Sequence, residues 1–106
     1  MKSIALSILV LLLLSSNVLA KDLLVFGAEW CNPCKNLKVF LKSSSVPFEY
    51  KKIEYIDIDQ FPVLSKKMNI KYVPTSIIFD DDGSLEAKVS GFNKRDYIEW
   101  LEEHKE

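Results

Sequence analysis

The chain has 106 residues, 48% of them hydrophobic and 27% charged, and a formal net charge of −1. That length holds a single domain, and that composition belongs to chains that fold. Positive charge comes in isolated pairs such as Lys51-Lys52 and Lys66-Lys67, so there is no basic cluster of the kind that nucleic acid or an anionic membrane surface requires.

Residues 1–20 read as a secretory signal peptide: Lys2, an apolar run from Ile4 to Leu14 broken only by Ser7, then Ser15-Ser16-Asn17 and a small-residue site ending at Ala20. The apolar run rises only about 16 Å as a helix, against a bilayer core of about 30 Å. The expectation is therefore cleavage after Ala20 and an exported, periplasmic or extracellular domain of residues 21–106. A retained anchor is the alternative, and only then is a membrane a partner. Neither cysteine lies near the cleavage site, which rules out a lipid-modified cysteine there.

Leu23 to Phe26 is a continuous apolar run ending at Gly27, the pattern of a strand covered on both faces. Beyond the cysteines, Leu37, Phe40 and Leu41 recur at helical spacing with Lys35, Lys38 and Lys42 opposite, until Ser43-Ser44-Ser45 and Pro47 end the helix. Phe48 to Asp59 reads as a strand with a bulge or break near Glu54 and Tyr55. Phe61, Leu64 and Met68 suggest a short helix covering the sheet, with Pro62 in its first turn. Thr75 to Phe79 and Leu85 to Val89 flank an Asp-Gly turn and predict an antiparallel hairpin. Asn93 with Asp96 caps a last helix that turns Tyr97, Ile98 and Leu101 inward. Strands joined through helices run parallel, so the fold class is α/β: a mixed sheet of about four strands with helices on both faces.

The chemistry concentrates in Trp30-Cys31-Asn32-Pro33-Cys34-Lys35. Cys31 falls at the start of the first helix, where unpaired N–H groups favour thiolate over thiol. It is the candidate nucleophile, and Cys34, one turn in, the candidate resolving thiol. Pro33 is accommodated in the first turn and stiffens the ring. A zinc site fails for want of ligands, since His104 is the only histidine. No cofactor site is recognisable, and Asp80-Asp81-Asp82 reads as a solvated turn. A purely structural disulfide stays open as an alternative, although so short a loop restrains the unfolded chain little.

The segment Phe26 to Lys35 resembles the active-site signature of the thioredoxin family, and Tyr72-Val73-Pro74-Thr75 resembles its cis-proline segment. Ile58-Asp59-Gln60 and Ser90-Gly91-Phe92 extend the likeness through the chain after residue 20. The resemblance implies a thioredoxin-like fold lacking the usual first strand and helix. It also implies a monomer acting on protein disulfides with an unidentified redox partner. Val73 and Pro74 would meet the substrate backbone, Trp30 would add apolar contact, and Asn32, Pro33 and Lys35 would support the cysteines. The sequence departs from the family in three places. Val25 stands where a buried acid is usual, Tyr55 where its lysine partner is usual, and Asn-Pro separates the cysteines in place of Gly-Pro. The expected activity is thiol-disulfide exchange, tilted towards reduction by the proline before Cys34 and the lack of histidine there. The alternatives are a disulfide oxidase and a binding module whose disulfide is structural.

Overall fold

The computed structural model describes residues 21–105, so the signal-peptide reading falls outside the described residues. Its elements run β1 (Asp22–Gly27), α1 (Asn32–Ser43), a 3-10 turn (Val46–Glu49), β2 (Lys52–Asp57), α2 (Pro62–Lys67), β3 (Thr75–Phe79), β4 (Leu85–Ser90) and α3 (Lys94–His104). The four strands form one sheet in the order β2-β1-β3-β4. β1 and β2 are parallel, as their helical connection demands, while β3 runs antiparallel to both β1 and β4.

β1 is the central strand, and its apolar run is explained by burial on both faces. Leu23 and Val25 face the larger core with Leu37, Phe40, Tyr50, Ile78, Tyr97 and Leu101, whereas Phe26 faces a smaller one with Ile56 and Ile77. The larger core is closed by rings: Phe40, Phe92 and Tyr97 meet pairwise with centroids 5.4–5.9 Å apart. The buried Tyr97 hydroxyl is satisfied by Ser76 at 2.7 Å, and Tyr50 donates to the Leu101 carbonyl at 2.7 Å. Asn93 caps α3 as expected, its side chain accepting from the Asp96 N–H. In the hairpin Gly83 takes φ 85° and donates to the Asp80 carbonyl at 2.9 Å, the left-handed step that favours glycine.

Two expectations need correction. β2 begins only at Lys52, because Pro47 sits in a 3-10 turn, and it pairs residue for residue with β1 from Asp22↔Lys52 to Gly27↔Asp57 with no bulge at Glu54 or Tyr55. The irregular apolar spacing there comes from Ile53 and Ile56 serving opposite faces. Among the described residues, the register shift lies in the β3–β4 pair at Ile78/Phe79. The second correction concerns α2. It is only six residues long and buries Ser65, whose hydroxyl donates to the Phe61 carbonyl, while Phe61 stays half exposed and Val63 and Leu64 face outward. A helix of under two turns has too narrow a face to bury Phe61, Leu64 and Met68 together, and only Met68 packs on the sheet.

Candidate active site

β1 ends at Gly27, and a tight turn through Glu29 and Trp30 carries the chain into α1. Cys31 N–H closes that turn on the Ala28 carbonyl at 3.2 Å. Cys31 is itself the N-cap of α1. Its backbone is extended, and its Sγ accepts the Cys34 N–H at 3.2 Å. The first turn holds no acidic side chain to oppose negative charge on that sulfur. Pro33 costs the helix nothing, since first-turn N–H groups have no intrahelical partner. The two sulfurs are joined as a disulfide across Cα atoms 5.2 Å apart. Cys31 keeps 6% of its surface exposed and Cys34 none. Asn32 and Lys35 lie exposed on the outer side of the same turn.

The loop before β3 faces the pair. Its Val73–Pro74 peptide is cis, and the Val73 carbonyl oxygen lies 3.7 Å from Cys31 Sγ. Pro74 is buried, its carbonyl accepting the Gly91 N–H at 2.7 Å, and Thr75 Oγ1 ties back to the Tyr72 carbonyl at 2.6 Å. Trp30, 67% exposed, is fixed through its indole N–H to Asp59 at 3.0 Å. Trp30, Ile58, Ile70, Tyr72 and Val73 line a groove of about 300 Å³ beside Cys31. The sequence-predicted residues Trp30, Cys31, Cys34, Val73 and Pro74 are thus brought together.

The thioredoxin family model matches residues 14–103. The chain belongs to the thioredoxin family. It is 35% identical over 88 residues to the thioredoxin of Rickettsia bellii, covering 79% of this chain and 84% of that one. It is 32% identical over 79 residues to that of Chlamydia muridarum, covering 74% and 78%. Among solved structures, a Plasmodium falciparum thioredoxin superposes with a TM-score of 0.71 at 27% identity, over 89% of this chain and 79% of that one. A Fasciola hepatica thioredoxin reaches 0.72 at 24% identity, over 87% and 88%, a likeness of fold. A thioredoxin with this cysteine pair is a thiol-disulfide oxidoreductase acting on protein disulfides.

Opposite the groove, the thioredoxin pair has a second neighbour. Glu29, Lys35, Lys38, Tyr55, Asp57 and Gln60 line a polar cleft of about 530 Å³ against the first two turns of α1. Tyr55 also packs on the cluster of Ala28, Cys31 and Cys34. Burial, and secondarily Asp57, pushes the Tyr55 phenol above its usual value. Lys38 Nζ stands 4.9 Å from the centre of the Tyr55 ring.

Asp57, Asp59, Ile58, Ile70 and Tyr72 line the site without being marked by the sequence as site residues. Asp59 could have been found, since it lies within Ile58-Asp59-Gln60. Asp57 carries no such signal, and only the β1–β2 register, which sets it beside Gly27, brings it to the site. Phe92, from the stretch Ser90-Gly91-Phe92, is partly buried and packs against the larger core, its ring tilted on Phe40 and edge-on to Tyr97. The Asp80, Asp81 and Asp82 carboxylates cluster within 4.8 Å, but Asp80 and Asp82 accept from N–H groups of their own turn. His104 packs on Trp100 in the last turn of α3.

Proposed function

We propose that this member of the thioredoxin family is an exported protein-disulfide reductase in which Cys31 attacks and Cys34 resolves. The observation that carries the division of labour is the unequal setting of the two sulfurs: Cys31 caps α1, accepts an N–H and reaches the surface, while Cys34 is sealed beneath it. Cys31 thiolate attacks one sulfur of a substrate disulfide and expels the other as a thiolate, leaving a mixed disulfide. Cys34, deprotonated, attacks Cys31 Sγ and expels the second substrate thiolate. The substrate gains two electrons and two protons, and the protein is left with the Cys31–Cys34 bond.

The groove beside Trp30, Tyr72 and Val73 receives the substrate chain. Val73 offers its backbone within reach of Cys31, and Pro74 holds that backbone in place. Asn32, Pro33 and Lys35 shape the turn around the reacting sulfur. Export is supported by Lys2, the apolar run and Ala20, with cleavage leaving Lys21 as the first residue. N-terminal sequencing of the exported form tests this, and a chain still starting at Met1 overturns it.

The proline before Cys34 and the absence of a histidine there favour reduction. Potentials run from about −270 mV for thioredoxin to about −120 mV for a dedicated oxidase, roughly 7 kcal/mol apart for two electrons. Equilibration of residues 21–106 against a glutathione couple decides the direction. A potential near the thioredoxin end, with catalysed reduction of a protein disulfide by dithiothreitol, is expected. A potential near the oxidase end makes it an oxidase, and no acceleration of reduction makes it a binding module.

A further inference from the structure

Cys34 cannot attack until it loses its proton, and its burial opposes that loss, because desolvation holds a thiol in the neutral form. Val25, fully buried on the same stretch of β1, offers no acceptor. Among the apolar and aromatic side chains packed on the pair, Ala28, Ile58, Val73 and Tyr55, it is Tyr55 that carries an exchangeable proton. Gly27 gives that ring its place. A Cβ at Gly27 would overlap the Tyr55 hydroxyl, with Cζ at 2.6 Å, so the ring runs along the sheet towards the active-site end.

Tyr55 and Asp57 lie two residues apart on β2 and therefore point to the same face. Both line the polar cleft, which opens to solvent. One Asp57 oxygen is fixed by the Asp59 N–H at 2.9 Å. The other charged groups facing Tyr55 are Glu29 from the β1–α1 turn and Lys35 and Lys38 from α1.

We propose that Tyr55 and Asp57 form the proton exit of Cys34, Tyr55 taking the thiol proton as it passes its own through the cleft to the Asp57 carboxylate. The balance is simple. Cys34 S–H becomes thiolate, Tyr55 ends as it began, and Asp57 holds one proton that it returns to cleft water. The thiolate then forms the bond to Cys31 Sγ and the substrate thiolate leaves. A phenol is protonated at neutral pH, and burial and Asp57 push this one further in that direction, so Tyr55 conducts and does not act as the base.

This inference rests on the exchange reading above, and one experiment separates them. The reduced protein is mixed with excess dithiobis(nitrobenzoate) in a stopped-flow instrument. The first release of chromophore reports attack by Cys31, and the second, concentration-independent release reports attack by Cys34. No fast first phase in the parent overturns the exchange reading itself. Tyr55→Phe and Asp57→Asn are each expected to slow the second phase at pH 7 by about tenfold or more. The defect should shrink as pH rises towards 9, and the double variant should be no slower than either single one. A second phase at the parental rate in Asp57→Asn, or a defect equal at every pH, overturns the proposal. Circular dichroism of both variants identifies a variant that fails to fold, and the other variant then decides.

Discussion

The two sides of the cysteine pair differ in kind. On one side Trp30, Ile58, Ile70, Lys71, Tyr72 and Val73 make a small, mostly apolar groove, with Tyr72 72% exposed. On the other, Glu29, Lys35, Lys38, Tyr55 and Asp57 make a larger polar cleft. The groove meets Cys31, the less buried of the two residues, at Val73, and the cleft backs onto the cluster that holds both cysteines through Ala28 and Tyr55. In the exchange proposed above, each cysteine faces the medium its step needs: an apolar surface with a backbone carbonyl to hold a chain, and a solvent-open cleft to carry off a proton. A thiol pair on a uniformly apolar surface would bind well and resolve slowly.

The largest expected effect breaks the symmetry between the sulfurs. Cys31→Ser should lose exchange altogether, whereas Cys34→Ser should attack once and stall as a mixed disulfide that mass spectrometry locates on Cys31. Thiol titration of the reduced protein should find Cys31 below the free value of about 8.5, because α1 N–H groups stabilise its thiolate, and Cys34 above Cys31. Equal values would erase the comparison. Next comes Val25→Asp, which puts an acceptor beneath Cys34 at the cost of a buried carboxyl in the larger core. It should lower stability by about 2 to 4 kcal/mol in urea unfolding, and it should speed the second phase near neutral pH, most clearly in an Asp57→Asn background.

On the groove side the effects are smaller. Pro74→Ala should slow turnover of protein disulfides by about tenfold, roughly 1.4 kcal/mol of transition-state binding, with a smaller loss on a small-molecule disulfide that lacks a backbone to dock. Turnover of proteins at the parental rate would remove Pro74 from the site. Trp30→Ala should raise KM for a protein substrate by about three- to fivefold, near 1 kcal/mol of apolar contact, and should leave the Cys34 phase alone. An effect of Trp30→Ala on that phase would mean the two sides are not separate.

How much of this was legible beforehand depends on what each residue's signal was made of. The cysteine pair and its place at a helix start could be read because they are one contiguous motif, and the approach of Val73-Pro74 was implied by the family resemblance of the segment around it. α1 and α3 could be read because each is long enough for a full apolar stripe, Leu37 with Phe40 and Tyr97 with Leu101. α2 misled because three apolar residues at helical spacing suggest a covered face even where the helix is too short to present one. β2 misled because residues on its two faces feed two different cores, which blurs alternation into what resembles a break.

The sequence by itself determined the local chemistry: which sulfur caps a helix, which strand is dry on both faces, where Asn93 starts a helix and Gly83 turns a hairpin. These follow from near neighbours along the chain and from backbone preferences that each residue carries with it. The parallel register of β1 on β2 was decided only in three dimensions. That register sets Val25 beside Tyr55 and Gly27 beside Asp57, leaves room over Gly27 for a phenol, and creates the cleft. Pairing between strands some thirty residues apart depends on the packing of everything between them, and no local pattern encodes it.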